Sequence, residues 1–274
     1  LVSVSMERLR VRASDFAKFT GHNTFSTAEE IASLFWQRNV NAARVRGIEV
    51  VEEIGEVERR MSECTPLERE AAALSLHLAP SATSECIANA ISEKLVTPMA
   101  STDTNAETTA QLEALPAPLK KRAIAESIEH EAQKMRGVKR EKTSIDRLEV
   151  ETGRAVGKRN TQFFRRQLPV DRNDVLVELV GMVDGRFEDT NEIIEIKERR
   201  KRLFGRVVDY EKVQLHCYMF LTKTDQATLV ERYDDQKAQY CVDRDESFWE
   251  DCVVRFNSFL KDQLGPSTRA KSPS

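Results

Sequence analysis

The feature that most constrains this chain is a change of period near Pro169. Ahead of it, apolar residues recur at helical spacing; beyond it, they alternate or run on in short β-branched stretches. Val175-Leu-Val-Glu-Leu-Val180 and Met182-Val183 read as strand, Gly185-Arg-Phe187 begins a return, and Asn191-Glu-Ile-Ile-Glu-Ile-Lys197 alternates acidic and apolar residues. Tyr210 to Leu221 reads as a helix, and Ala227–Tyr233 and Ala238–Val242 as two more strands. Glu246 to Leu260 is a closing amphipathic helix carrying Phe248, Trp249, Val253, Phe256 and Phe259. Strands interleaved with helices predict an α/β fold with a mixed central sheet flanked by helices.

The first part of the chain predicts helices. Over 12–40, Ser14 is placed to cap a turn carrying Phe16 and Phe19, Gly21-His-Asn23 breaks it, and Ser26 with Glu29 fits a capping box. Residues 47–135 are rich in Ala, Glu and Leu, with junctions at Thr65-Pro66 and Leu78-Ala-Pro80 and a loop over 101–109. The expected organisation is therefore an N-terminal element over 1–46, a helical insertion over 47–135, a core over 136–263 and a disordered tail over 264–274.

Charge narrows the partners. With 42 Lys and Arg against 45 Asp and Glu, the net charge of −3 excludes a uniformly basic coat for nucleic acid but leaves room for a local basic groove. Residues 134–166 hold eleven Lys and Arg against four Asp and Glu, a basic block that includes Lys139-Arg140. No stretch approaches the roughly 18 apolar residues of a membrane span. The five cysteines form no CxxC pair and the four histidines have no zinc-ligand spacing, as expected for reduced thiols in an intracellular chain.

Three residues of the strand region point to chemistry. Asp184 closes one strand, and Glu195 and Lys197, two apart on the next, project from one face. If the strands are neighbours, two carboxylates and an ammonium meet at one edge, an arrangement that repels itself unless a cation binds. Hard oxygen ligands suit Mg²⁺, with Mn²⁺ as the alternative. The bland alternative is a solvated hairpin with a Glu–Lys cross-pair. The Ile193, Ile194 and Ile196 context predicts one buried face and one carrying Glu195 with Lys197, and the following helix sets Gln214 and Tyr218 one turn apart.

Val183-Asp184-Gly185, Ile194-Glu-Ile-Lys197 and Gln214-Leu-His-Cys-Tyr218 resemble the D…ExK…QxxxY series of PD-(D/E)xK nucleases. Within that superfamily they are similar to the branch of lambda exonuclease, viral recombination nucleases and RecB-type domains. Arg10-Val-Arg12-Ala-Ser14 with Thr20-Gly-His-Asn23 resembles the opening motif of lambda-type exonucleases. The resemblance implies a restriction-endonuclease-like core in which Asp184, Glu195 and the Ile196 carbonyl hold the metal, Lys197 is the catalytic lysine and Gln214 positions the site, with Tyr218 beside it as a substrate-binding residue. It implies that Arg12 and Ser14 contact the DNA end, making 1–46 a DNA-end-binding element. Arg199 and Arg200, in the basic run after the ExK strand, are either a solvated loop or a grip on the DNA backbone. His216, on another face of the Gln214 helix, reads as a core or surface residue, and Phe163-Phe164 as helical core.

One departure from the family concerns its Glu in G-x-x-x-E: the stretches Gly153–Gly157 and Gly157–Thr161 carry no acid at that offset, leaving Glu149, Glu151 or Asn160 as substitutes. The implied activity is Mg²⁺-dependent hydrolysis of DNA phosphodiesters, by an exonuclease acting on duplex ends in recombination, repair or replication. A structure-specific endonuclease of the same fold, or a non-catalytic nucleic-acid-binding scaffold, is the alternative. DNA, as a duplex end or single strand, is the implied partner, with a homo-oligomer or a recombination protein beside it and no membrane.

Overall fold

The structure, a computed structural model, describes residues 6–50, 56–96, 119, 143–157, 159, 161–199 and 201–265. The expected loop at 101–109, Lys139-Arg140, Asn160, Arg200 and the tail beyond 265 lie outside the described residues. By contact, the chain divides into two compact units, one of Leu1–Glu52 with Glu141–Ser274 and one of Glu53–Arg140. No helix among the described residues is long and apolar enough to cross a membrane.

The first unit is mixed α/β. Its opening strand, β1 (Glu7–Arg12), alternates strictly: Leu9 and Val11 are buried, while Arg8, Arg10 and Arg12 face solvent. Strand β1 runs straight into α1 (Ala13–Phe19), so Arg12 occupies the N-cap and the expected cap by Ser14 does not form. Helix α2 (Ala28–Arg38) begins one residue later than expected. Thr27 Oγ1 accepts the Glu30 N–H at 3.2 Å, and Glu30 Oε2 accepts the Thr27 N–H at 2.8 Å. Between α2 and α3 (Val40–Val45), Asn39 turns inward and seals the free edge of β1, accepting the Arg10 N–H at 2.7 Å and donating to the Arg10 carbonyl at 3.1 Å.

Two sheets form the scaffold. One has three strands in the order β1, β4 (Val175–Met182), β3 (Phe163–Gln167), with β1 parallel to β4 and β3 antiparallel. The other has five, in the order β2 (Val156–Gly157), β5 (Gly185–Phe187), β6 (Ile193–Glu198), β7 (Gln226–Tyr233), β8 (Gln236–Asp243). Phe163-Phe164 is thus strand rather than helix, and Phe163 is 62% exposed. Chain passes from one sheet to the other through Val183-Asp184, and the return to β6 comes after Phe187 rather than at Gly185. Gly185 has no substitute here, because a Cβ would lie 2.5 Å from Val156 Cγ1 on the neighbouring strand.

Strands β6 and β7 are parallel and joined by α8 (Asp209–Thr222), a strand–helix–strand crossover. Helix α8 and the closing α9 (Glu246–Leu264) cover one face of the sheets with α1. Phe16 packs against Phe256 in a tilted pair at 4.9 Å between centroids, and Phe220 stacks on Trp249 at 4.9 Å. On the other face, α7 (residues 143–152) packs Ile145 and Leu148 against Ile194, Ile196 and Val230. Both faces of β6 are therefore covered, so the expected open face bearing Glu195 is buried.

The second unit, over its described residues, contains α4 (Glu56–Glu63), α5 (Pro66–Ser75) and α6 (Ser84–Val96). Thr65 caps α5 in a reciprocal box with Glu68, and Pro66 sits in its first turn. Val57, Met61, Ala72, Ala73, Leu76, Ile87, Ile91 and Leu119 form its core.

Candidate active site

Asp184 stands in the two-residue step between β4 and β5. Continuing the antiparallel register of β5 and β6, in which Gly185 pairs with Ile194, sets Asp184 opposite Glu195. Asp184 Oδ2 accepts the Ile196 N–H at 2.7 Å. The N–H and C=O of a strand residue point to the same side, and the carbonyl of Glu192, the residue just before β6 and an even number of residues from Ile196, accepts the Phe187 N–H at 3.0 Å. The Ile196 carbonyl therefore faces the edge where Asp184 lies.

Glu195 is 3% exposed. Its Oε1 accepts from Lys197 Nζ at 2.5 Å, while Oε2 is buried with no hydrogen-bond partner. Burial, and after it the neighbouring Asp184, push the Glu195 pKa up to about 8 against the opposing pull of Lys197. For Lys197, burial works to lower the pKa, but the Glu195 carboxylate, helped by Asp184, outweighs it and raises the value above that of an ordinary lysine.

Gln214 links this cluster to α8. Its Oε1 accepts from Lys197 Nζ at 3.2 Å and its Nε2 donates to the Tyr218 hydroxyl at 2.9 Å. The i, i+4 spacing puts both side chains on the helix face that meets β6, and Glu195, Lys197, Gln214 and Tyr218 form one chain of hydrogen bonds. Tyr218, expected to bind substrate, is instead buried, with its hydroxyl pKa raised by burial well above the ordinary value; it anchors Gln214. Arg12 and Ser14 are both exposed, at the corner between β1 and α1. Gly181 ties that corner to Tyr218: a Cβ there would lie 3.1 Å from both Ala13 Cβ and Tyr218 Cε1.

Arg199 corrects another expectation. It turns inward, donating from Nη1 and Nη2 to Glu211 at 2.7 and 3.0 Å and from Nε to Glu231 at 2.6 Å, with its guanidinium 3.8 Å from the Phe204 ring centroid. A fork held by two buried carboxylates has nothing left for a phosphate. Glu211 and Glu231 escaped notice in the sequence because their partner is remote from both. His216 is a satisfied core residue: Nδ1 bonds the Lys212 carbonyl at 2.8 Å and Nε2 accepts the Asp245 N–H at 3.1 Å.

The substitutes for the family's further acid are engaged elsewhere. Glu149 pairs with Arg159 and accepts the Val156 N–H at 2.7 Å; Glu151 accepts from Lys237 at 2.6 Å and from Arg232 at 3.1 Å. Among the described residues no group of three or more His, Cys, Asp or Glu gathers for a metal. The oxygen set is two carboxylates and a strand carbonyl. An unpartnered buried carboxylate oxygen beside a second carboxylate fits a hard divalent cation that keeps several of its waters.

No family model matches the chain, and no curated protein matches it. Among solved structures, the chain is similar to an alkaline exonuclease from Laribacter hongkongensis in complex with dAMP, at 18% identity over 76% of this chain and 91% of that one, with a TM-score of 0.39. It is similar to a phage-related exonuclease from Haemophilus somnus 129PT at 14% identity, covering 93% and 95%, with a TM-score of 0.36. It also resembles SSO0001 at 19% identity and a TM-score of 0.39, spanning 51% of this chain and 66% of that one.

Proposed function

We propose that this protein is a metal-dependent DNA nuclease that hydrolyses phosphodiester bonds, acting as an exonuclease at duplex ends. The observation that carries the proposal is the unpartnered Glu195 Oε2, buried beside Asp184 and flanked by a lysine that Gln214 holds in place. A structural ion pair needs no orphaned oxygen, and burying one costs about 1–3 kcal/mol. Asp184, Glu195 and the Ile196 carbonyl would hold Mg²⁺ or Mn²⁺, which when bound supplies charge neutralisation and Lewis-acid polarisation of a phosphoryl oxygen.

The chain's own residues do the rest. Lys197, fixed between Glu195 and Gln214, orients the attacking water and stabilises negative charge gathering on the phosphoryl oxygens. Water adds to phosphorus, the bridging P–O bond breaks, and the leaving oxygen takes up a proton. Gln214 is a positioning residue, acting through the lysine ammonium. Arg12 and Ser14 supply a guanidinium fork and a hydroxyl, the donors a terminal phosphate accepts.

End-labelled linear duplex incubated with Mg²⁺ tests this. The expected result is progressive loss from the ends, with closed circular DNA untouched and both Asp184→Ala and Lys197→Ala inactive. Intact linear DNA with Mg²⁺ and Mn²⁺ alike would reduce the protein to a binding scaffold, and cut circles would make it an endonuclease.

A further inference from the structure

Of the residues on the outer face of the three-stranded sheet, only Arg12 has a part in the site described above. By register, Arg8, Arg10 and Arg12 on β1 lie beside Leu176, Glu178 and Val180 on β4, and Gln167, Arg165 and Phe163 on β3 lie beside Glu178, Val180 and Met182. One face thus presents four arginines and one acid. Arg8, Arg10, Arg12 and Arg165 are all exposed, and Glu178 meets Arg10 at only 3.6 Å, a contact worth little in water. Phe163 is 62% exposed and Met182 46% exposed at the end where β4 leads into Val183-Asp184. In a chain of net charge −3, four cations against one acid on a single sheet face, with an uncovered aromatic ring, go unexplained by packing.

Beside β1, a cavity of about 400 Å³ is lined by Arg8, Arg10 and Arg38 with Asn39 and Val40, and no acid lines it among the described residues. The free edge of β1 is closed to an added peptide strand, since Asn39 already occupies both the N–H and the C=O of Arg10. What remains accessible is a row of exposed arginines on alternate residues, whose backbone positions step by about 6.7 Å along the strand. Positive charge that follows a backbone, combined with an exposed ring, is the chemistry that binds single strands without regard to sequence.

We propose that this face is a track for single-stranded nucleic acid, with Arg8, Arg10 and Arg165 holding phosphates and Phe163 stacking a base. The track rests on the nuclease proposal for its purpose but not for its measurement. Binding of a fluorescent oligothymidine, followed by anisotropy across a salt series in EDTA, reads it without hydrolysis. Removing three phosphate contacts in Arg8→Gln/Arg10→Gln/Arg165→Gln is expected to reduce the slope of log K against log salt by about 2, at roughly 0.7 per contact. Phe163→Ala is expected to weaken binding about tenfold at fixed salt.

Arg165→Gln alone serves if the triple variant loses its fold, with an expected slope change of about 0.7. An unchanged slope together with unchanged affinity in Phe163→Ala overturns the track, even if the wild type digests DNA. An equal loss on a blunt hairpin duplex overturns the single-strand assignment. If the wild type digests nothing yet the slope falls as expected, the track stands and the nuclease proposal fails.

Discussion

Replacing Arg199 by Met separates a structural arginine from one that grips DNA. The wild-type guanidinium is enclosed by Glu211 and Glu231, whose side chains are 2% and 0% exposed. Truncation strands both carboxylates, and losing one partner of a buried pair costs about 3–5 kcal/mol. Glu231 is partly sheltered, because it also accepts the Phe204 N–H at 3.1 Å, so most of the penalty falls on Glu211. Loss of the guanidinium from the Phe204 ring adds about 0.5–1 kcal/mol. A total near 4 kcal/mol is a large part of the stability of an ordinary domain. Trp36 and Trp249 both lie in the core of this unit, so tryptophan fluorescence during urea unfolding reports its loss. Arg255→Met is the control: its exposed pair with Asp251 is worth about 0.5 kcal/mol or less. Adding Glu211→Leu to Arg199→Met is expected to restore part of the loss, since an apolar substitute needs no partner. If Arg199→Met stays within about 1 kcal/mol of wild type while DNA affinity falls tenfold, Arg199 faces the phosphates and the buried assignment is wrong.

Other outcomes follow from the same contacts. Gly181→Val is expected to destabilise by about 1–3 kcal/mol or more in urea unfolding, because its side chain would press on Ala13, Tyr218 and Leu221. Gln214→Ala leaves the Tyr218 hydroxyl buried without its partner; the expected change is about 1–3 kcal/mol in urea unfolding and a fall in kcat larger than any change in KM, whereas equal kcat would remove Gln214 from the site. Burial holds the His216 pKa below its ordinary value, and that of His22 as well. The folded chain therefore resists a proton that the unfolded chain accepts near about pH 6.5, and this stability is present above that pH and lost as pH falls toward the depressed folded value. Glu195, whose raised pKa favours the folded chain as pH falls below about 8, works the other way, so the difference between variants is the readout. Between about pH 7 and pH 5 the urea midpoint of wild type should fall more, or rise less, than that of His216→Asn, and identical slopes would contradict it.

The strands after Pro169, helix α8 and helix α9 were legible because each carries its own period, and the D…ExK…QxxxY spacing survives into contacts between Lys197 and both Glu195 and Gln214. What escaped depends on partners distant in sequence. The segment Glu7–Arg12 has a period of two, the signature of a half-buried strand, yet its neighbour β4 begins at Val175. A run such as Glu198-Arg-Arg-Lys-Arg202 looks solvated from composition, and only the arrival of Glu211 and Glu231 from α8 and β7 draws Arg199 inward. Burial of Glu195 was hidden for the same reason: α7 covers one face of its strand and α8 the other, and alternation within six residues reports neither. Capping chemistry is local, and Thr65-Pro66 was readable without any tertiary knowledge.

The parallel register that joins Glu7 to Val175 has a consequence for biosynthesis. Leu9 and Val11 leave the ribosome well before the strand that shelters them exists, and at about 5–20 residues per second the wait is on the order of ten to thirty seconds. Throughout that interval an arginine-studded, half-greasy ribbon waits without its partner strand, so nascent-chain partners that bind basic amphipathic segments have a long window in which to act on this protein.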